Sequence, residues 1–165
     1  MRARSLIVAL LSLVVAVVAQ TTLFSRFQFV TPDLVLLMTI IFATTDMRRE
    51  LVLLLAFLGG LVVDLLSSTV MGLRAAVFTV VGYLAIRTVH RVDLGPVAVA
   101  LWVGVLTLVG VGLFLLVGTL FGQGGLLTTG LARRIIFVPL TNLAMSFLIA
   151  PLLNRLIGGR ARGVL

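Results

Sequence analysis

The sequence predicts an all-α integral membrane protein, a six-transmembrane-helix bundle forming one polytopic domain over residues 1–165. Three observations predict it. The chain is 61% hydrophobic and 11% charged, with a mean hydropathy of +1.31, far more apolar than a soluble domain of its length requires. Its apolar residues fall into six segments, at about 5–24, 31–45, 51–66, 73–88, 94–121 and 131–157, each bounded by charge, proline or glycine. Its basic residues, thirteen arginines and no lysine, sit at the ends of those segments, so the net charge of +8 reads as a membrane-topology signal and not as a nucleic-acid footprint.

The first segment carries Ser5, Ala9, Ser12, Ala16 and Gln20 on one stripe of small and polar residues, suited to helix packing. Its basic start and apolar middle also fit a signal peptide, but the run is long for one and no soluble domain follows, so it is taken as an uncleaved span. The second opens on Thr31-Pro32-Asp33, where threonine can cap, proline fits a first helical turn and aspartate faces the positive end of the dipole. After it, Asp46-Met47-Arg48-Arg49-Glu50 mixes both signs and reads as a hydrated interfacial turn whose arginines touch lipid headgroups.

The third segment places a carboxylate, Asp64, inside an apolar run. Ala56, Gly60 and Asp64 recur at every fourth residue, so the carboxylate shares its face with two small residues, and that face is expected to meet protein. Counted from Glu50, Asp64 lies about 21 Å along the helix. The fourth segment starts on the same side with Arg74, followed by Ala75, Thr79 and Gly82, so an antiparallel hairpin brings Arg74 to Asp64. At the C-terminal end of a helix an anion meets the unfavourable end of the dipole, which makes a cationic partner more necessary. The expected role of the pair is structural, with partner binding and a ligand or proton site as alternatives.

His90 lies beside Arg87, Arg91 and Asp93 in a turn and reads as a solvated loop histidine. The fifth segment ends on Gly118 and Gly122, a close-packing spacing, and the GQGG run at 122–125 lacks the lysine and hydroxyl of a phosphate loop and reads as an external turn. In the sixth, Asn142, Ser146, Ala150 and Asn154 repeat every fourth residue. That stripe faces either the chain's own helices or, as a candidate docking groove, a partner's helix. Pro139 is expected to bend this helix.

One histidine and no cysteine exclude a thiolate or zinc site, and neither a metal nor a cofactor is expected. The five acidic residues are dispersed, and no nucleophile, base and orienting group can be assembled, so the chain is not expected to be an enzyme. If the N-terminus is cytoplasmic, that side receives Arg2, Arg4, Arg48, Arg49, Arg87, Arg91, Arg155, Arg160 and Arg162, nine of the thirteen arginines, against Arg26, Arg74, Arg133 and Arg134 outside. Both termini are therefore expected in the cytoplasm.

The run GGLVVDLLSSTVMGLRAAVFTVVGYL resembles the central signature of the rod shape-determining protein MreD family, through Gly60, Asp64, Leu65, Gly72, Arg74, Ala75 and Tyr83. Pro32-Asp33 before a leucine-rich helix is similar to the family's second span, so the resemblance covers about residues 32–84. It implies a protein of the bacterial cytoplasmic membrane in the lateral-wall synthesis machinery. Its implied partners are MreC, with RodA, a class B penicillin-binding protein and MreB as further candidates, besides membrane lipid. It also implies a fold similar to the substrate-binding subunits of energy-coupling-factor transporters, and it carries no catalytic motif. The function expected is a non-enzymatic scaffold needed for rod shape; the alternative is a small-solute-binding subunit of such a transporter. A homo-oligomer and a bound lipid are left open.

Overall fold

The structure, a computed structural model, describes residues 3–22, 32–67, 70–92, 95–122 and 131–158. Among them lie six α-helices: α1 (Ala3–Thr22), α2 (Leu34–Phe42), α3 (Arg49–Leu66), α4 (Leu73–Thr88), α5 (Pro96–Leu120) and α6 (Leu131–Leu153). A 3-10 turn, Val89–Arg91, follows α4, and a π-helical turn, Asn154–Gly158, continues α6. No strand occurs among the described residues. Thr31, Arg2, Arg26, Asp93, Arg160, Arg162 and the turn residues Gln123, Gly124 and Gly125 lie outside the described residues.

Four of the helices are long and apolar enough to cross a membrane, over Arg4–Thr22, Leu73–Arg91, Pro96–Leu120 and Arg134–Ile157. The other two fall short of that length. In α3 the apolar run between Glu50 and Asp64 covers 51–63, about 20 Å of helix, against a hydrocarbon thickness of about 30 Å. The expected span at 31–45 is, as a helix, only the nine residues of α2, about 13 Å long. All nine are buried. The sequence LVLLMTIIF is apolar on every side, which suits a helix enclosed by others, and α2 touches each of α1, α3, α4, α5 and α6. It is the centre of the bundle.

A short helix in an apolar setting must satisfy its own end groups. At the start of α2 the Asp33 side chain accepts from Leu36 N at 3.1 Å, and Gln20 Oε1 of α1 accepts from Val35 N at 3.3 Å. At its end Thr44 and Thr45 turn their hydroxyls back onto the carbonyls of Ile41 and Phe42, each at 2.7 Å. Both threonines are buried, so these bonds replace water there.

Helices α3 and α4 form an antiparallel hairpin, α5 and α6 another, and these are the two most extensive helix contacts. The start of α1 meets the end of α6, where Ser5 Oγ donates to the Ile157 carbonyl at 3.3 Å. α6 runs without interruption through Pro139 and Pro151. Gly118 is buried on α5, but Gly122 lies beyond its end with φ +80°, so the two glycines do not form one packing stripe. Ile7, Leu11, Val14, Leu101, Val105, Leu140 and Leu148 stay exposed, as apolar faces turned to lipid would be.

Candidate functional site

The α3–α4 hairpin is built around a close backbone approach. A Cβ on Gly60 would lie 2.6 Å from Ala75 Cα and N and 2.7 Å from the Arg74 carbonyl carbon. Those are backbone atoms that cannot swing aside, so only glycine lets α3 pass the first turn of α4 at this distance. One turn further along the same face, the buried Asp64 reaches that first turn. Its Oδ2 accepts the backbone N–H of Arg74 at 2.9 Å and of Ala75 at 3.3 Å.

Asp64 therefore caps α4 from a neighbouring helix. Gly72 precedes α4 at φ +89°, a left-handed conformation in which glycine carries no Cβ penalty, and it offers no side chain to cap the helix itself. The free N–H groups at the start of α4 are thus met by a carboxylate ten residues upstream, which also sits favourably at the positive end of the dipole. The ion pair expected from the sequence is present, but it is the weaker contact: Arg74 Nε lies 3.9 Å from Asp64 Oδ1.

Arg74 has other neighbours. Its Nη1 is 3.6 Å from Asp33 Oδ2, and its guanidinium stacks on the Phe114 ring of α5 at 4.9 Å from the centroid. One arginine of α4 thus links α3, the cap of α2 and α5. The Asp33 carbonyl in turn accepts from Asn142 Nδ2 of α6 at 3.1 Å, and the same amide donates to Thr107 Oγ1 of α5 at 3.3 Å. Asn142 is completely buried.

These groups border a partly open cavity of about 170 Å3. Gln20, Asp33, Arg74 and Arg134 are its polar walls, and Pro32, Phe78, Val111, Phe114 and Val138 are among its apolar ones. From the sequence, Gln20 and Phe114 are not expected in this cluster. Gln20 had a sequence signal, as the amide at the end of the small and polar stripe of α1; Phe114 had none, because its role depends on α5 packing beside α4. Among the described residues no group of three or more histidine, cysteine, aspartate or glutamate side chains could hold a metal ion.

The remaining candidates lie elsewhere. Tyr83 is exposed, and its hydroxyl accepts from Arg87 Nε at 3.0 Å on the outer face of α4. The stripe on α6 is corrected as a docking groove: Asn142, Ser146 and Ala150 are buried within this chain, and Asn154 lies 3.1 Å from Thr44 Oγ1. Its small residues admit the chain's own helices, so no partner helix can reach it without opening the core.

The family described as rod shape-determining protein MreD matches residues 2–157. No curated protein and no solved structure matches the chain significantly. A match over nearly the whole length shows the family: the chain belongs to the rod shape-determining protein MreD family, and with it to rod shape determination and to multi-pass membrane proteins.

Proposed function

We propose that this chain is a non-enzymatic membrane scaffold of the bacterial lateral-wall synthesis machinery, in which it binds MreC and, through or beside it, RodA, a class B penicillin-binding protein and MreB. One observation carries the reading. Three interior polar groups are directed to the chain's own backbone, Asp64 to the first turn of α4, Asp33 to that of α2, and Asn142 to the Asp33 carbonyl, so they stabilise a shape and present no reacting group. Partner helices then have the outer apolar faces of α1 and α6 to pack against, both turned mostly away from this chain. The termini lie in the cytoplasm on this reading, and the arrangement of six helices is that of the energy-coupling-factor substrate-binding subunits.

The rival reading, a subunit carrying a vitamin-sized solute, is disfavoured by the same site. A cavity of about 170 Å3 is below the range of roughly 300–1,000 Å3 in which drug-sized ligands are held. Depletion of this protein in a rod-shaped host should widen or round the cells, tagged protein purified in mild detergent should bring MreC with it, and uptake of small nutrients should not change. Rods that persist on depletion, together with failed uptake of one nutrient, would overturn the proposal.

A further inference from the structure

We propose that the cavity between Arg74 and Arg134 is a seat for one compact oxyanion, a phosphate group, supplied either by the headgroup of an anionic phospholipid or as the free ion. The inference is independent of the scaffold role and rests on the donors left facing the cavity. The Arg74 guanidinium carries five N–H donors, and none makes a hydrogen bond among the described residues. Its carboxylate neighbours stand at 3.6 and 3.9 Å, beyond hydrogen-bond reach, yet its side chain is only 21% exposed. A largely enclosed arginine normally has acceptors, and those absent from the protein must come from water or a bound anion.

The two carboxylates do not cancel the positive charge as a formal count suggests. Asp64 is turned to the first turn of α4 and Asp33 to that of α2, and each helix start carries a partial positive charge of about half a unit. With these included, Arg74, the two carboxylates and the two helix starts come to about zero, and Arg134 makes the balance at the cavity positive. Arg134, exposed at the start of α6, adds a second cation and makes no ion pair among the described residues. The size selects the ligand. At about 170 Å3 the cavity lies below the roughly 300–1,000 Å3 of sites for drug-sized ligands, so it suits a phosphate and its nearest substituents and not a fused-ring solute. Phe78, Val111, Phe114 and Val138 supply apolar walls beside it, and the exposed Ile136 and Phe137 follow Arg134 along α6, where an acyl chain can lie.

The test uses the full chain in phosphatidylcholine nanodiscs, titrated separately with phosphatidylglycerol and with inorganic phosphate. Bound lipid is read by native mass spectrometry and bound phosphate by phosphorus NMR. Arg134→Gln removes an exposed cation without touching the core, Val111→Phe fills the cavity, and thermal unfolding checks that both variants remain folded. Saturable one-to-one retention of phosphatidylglycerol, weakened about tenfold or more by either variant, supports a lipid source, tenfold being the low end for a lost charge-assisted contact. Saturable binding of inorganic phosphate with the same two losses supports the free ion. Equal retention by the wild-type chain and both variants would mean annular lipid only and overturns the seat, as does the binding of neither probe.

Discussion

Because Asp64 Oδ2 lies 2.9 Å from the Arg74 N–H and 3.3 Å from the Ala75 N–H, while Arg74 Nε stands 3.9 Å from Oδ1, the side chain acts first as an acceptor for a helix start and second as a counter-charge. The two roles predict different mutants. Asp64→Asn keeps an acceptor and should cost about 1 kcal/mol, within the range of a weakened cap. Asp64→Leu removes it, strands buried N–H groups and leaves Arg74 with one carboxylate fewer, at roughly 3 kcal/mol or more. The exchange Asp64→Arg with Arg74→Asp should not restore stability, since arginine accepts no hydrogen bond and the new carboxylate would face Asp33. Thermal unfolding in detergent measures all three, and recovery in the exchange would show that charge, not capping, holds the hairpin. The sequence made the neighbourhood of Asp64 and Arg74 legible, because hairpin geometry brings their ends together. It did not reveal which atom of Arg74 matters, since backbone N–H groups are the same in every residue and leave no mark in a sequence.

For the elements, α3 and α4 make a close backbone approach at Gly60. Gly60→Ala puts a methyl 2.6 Å from backbone atoms of Ala75, so the helices must part and Asp64 must lose its grip on α4. The cost should exceed the gain of about 1 kcal/mol that alanine brings to a helix interior, for a net loss of about 1–3 kcal/mol. Gly112→Ala on α5 is the control: nothing lies within 4 Å of the added methyl, so it should be neutral or stabilising by up to about 1 kcal/mol. Equal effects in the two variants, read from the same unfolding curves, would refute the close approach. On α6, Ser146→Leu forces a large side chain into a site 2% exposed and should destabilise the chain itself by about 1–3 kcal/mol, whereas a surface docking stripe would tolerate it. The period of four was legible here, but periodicity marks a small and polar face without saying which molecule covers it. α2 was the least legible element. An apolar stretch of its length fits a membrane span and an enclosed core helix alike, and only the packing of five other helices around it decides.

In the whole molecule, the polar cluster and the ends of the described chain occupy opposite ends of the bundle. Gln20 near the end of α1, Asp33 before α2, Asp64 near the end of α3, Arg74 near the start of α4, Phe114 late in α5 and Arg134 early in α6 gather at one end. Ser5 and Ile157 meet at the other. With α1, α4, α5 and α6 long enough to cross, the start and end of the described chain lie on the same side of the membrane only if α2 and α3 together return the chain to the side from which it left. On the proposed reading the ends lie in the cytoplasm, an orientation that would put nine of the thirteen arginines on that side. The chain has no cysteine, so single thiols can be introduced as reporters. Ser67→Cys, just past α3 at the end of the polar cluster, should react with a membrane-impermeant reagent added to intact spheroplasts. Gly95→Cys, just before α5 at the other end, should react only after lysis. Gly95 is exposed and a Cβ there meets nothing within 4 Å, so that substitution does not disturb the fold. Labelling of Gly95→Cys in intact spheroplasts with protection of Ser67→Cys would invert the orientation and put Arg74 and Arg134 on the cytoplasmic side, while labelling of both would mean that α4, which separates the two positions, does not carry the chain across.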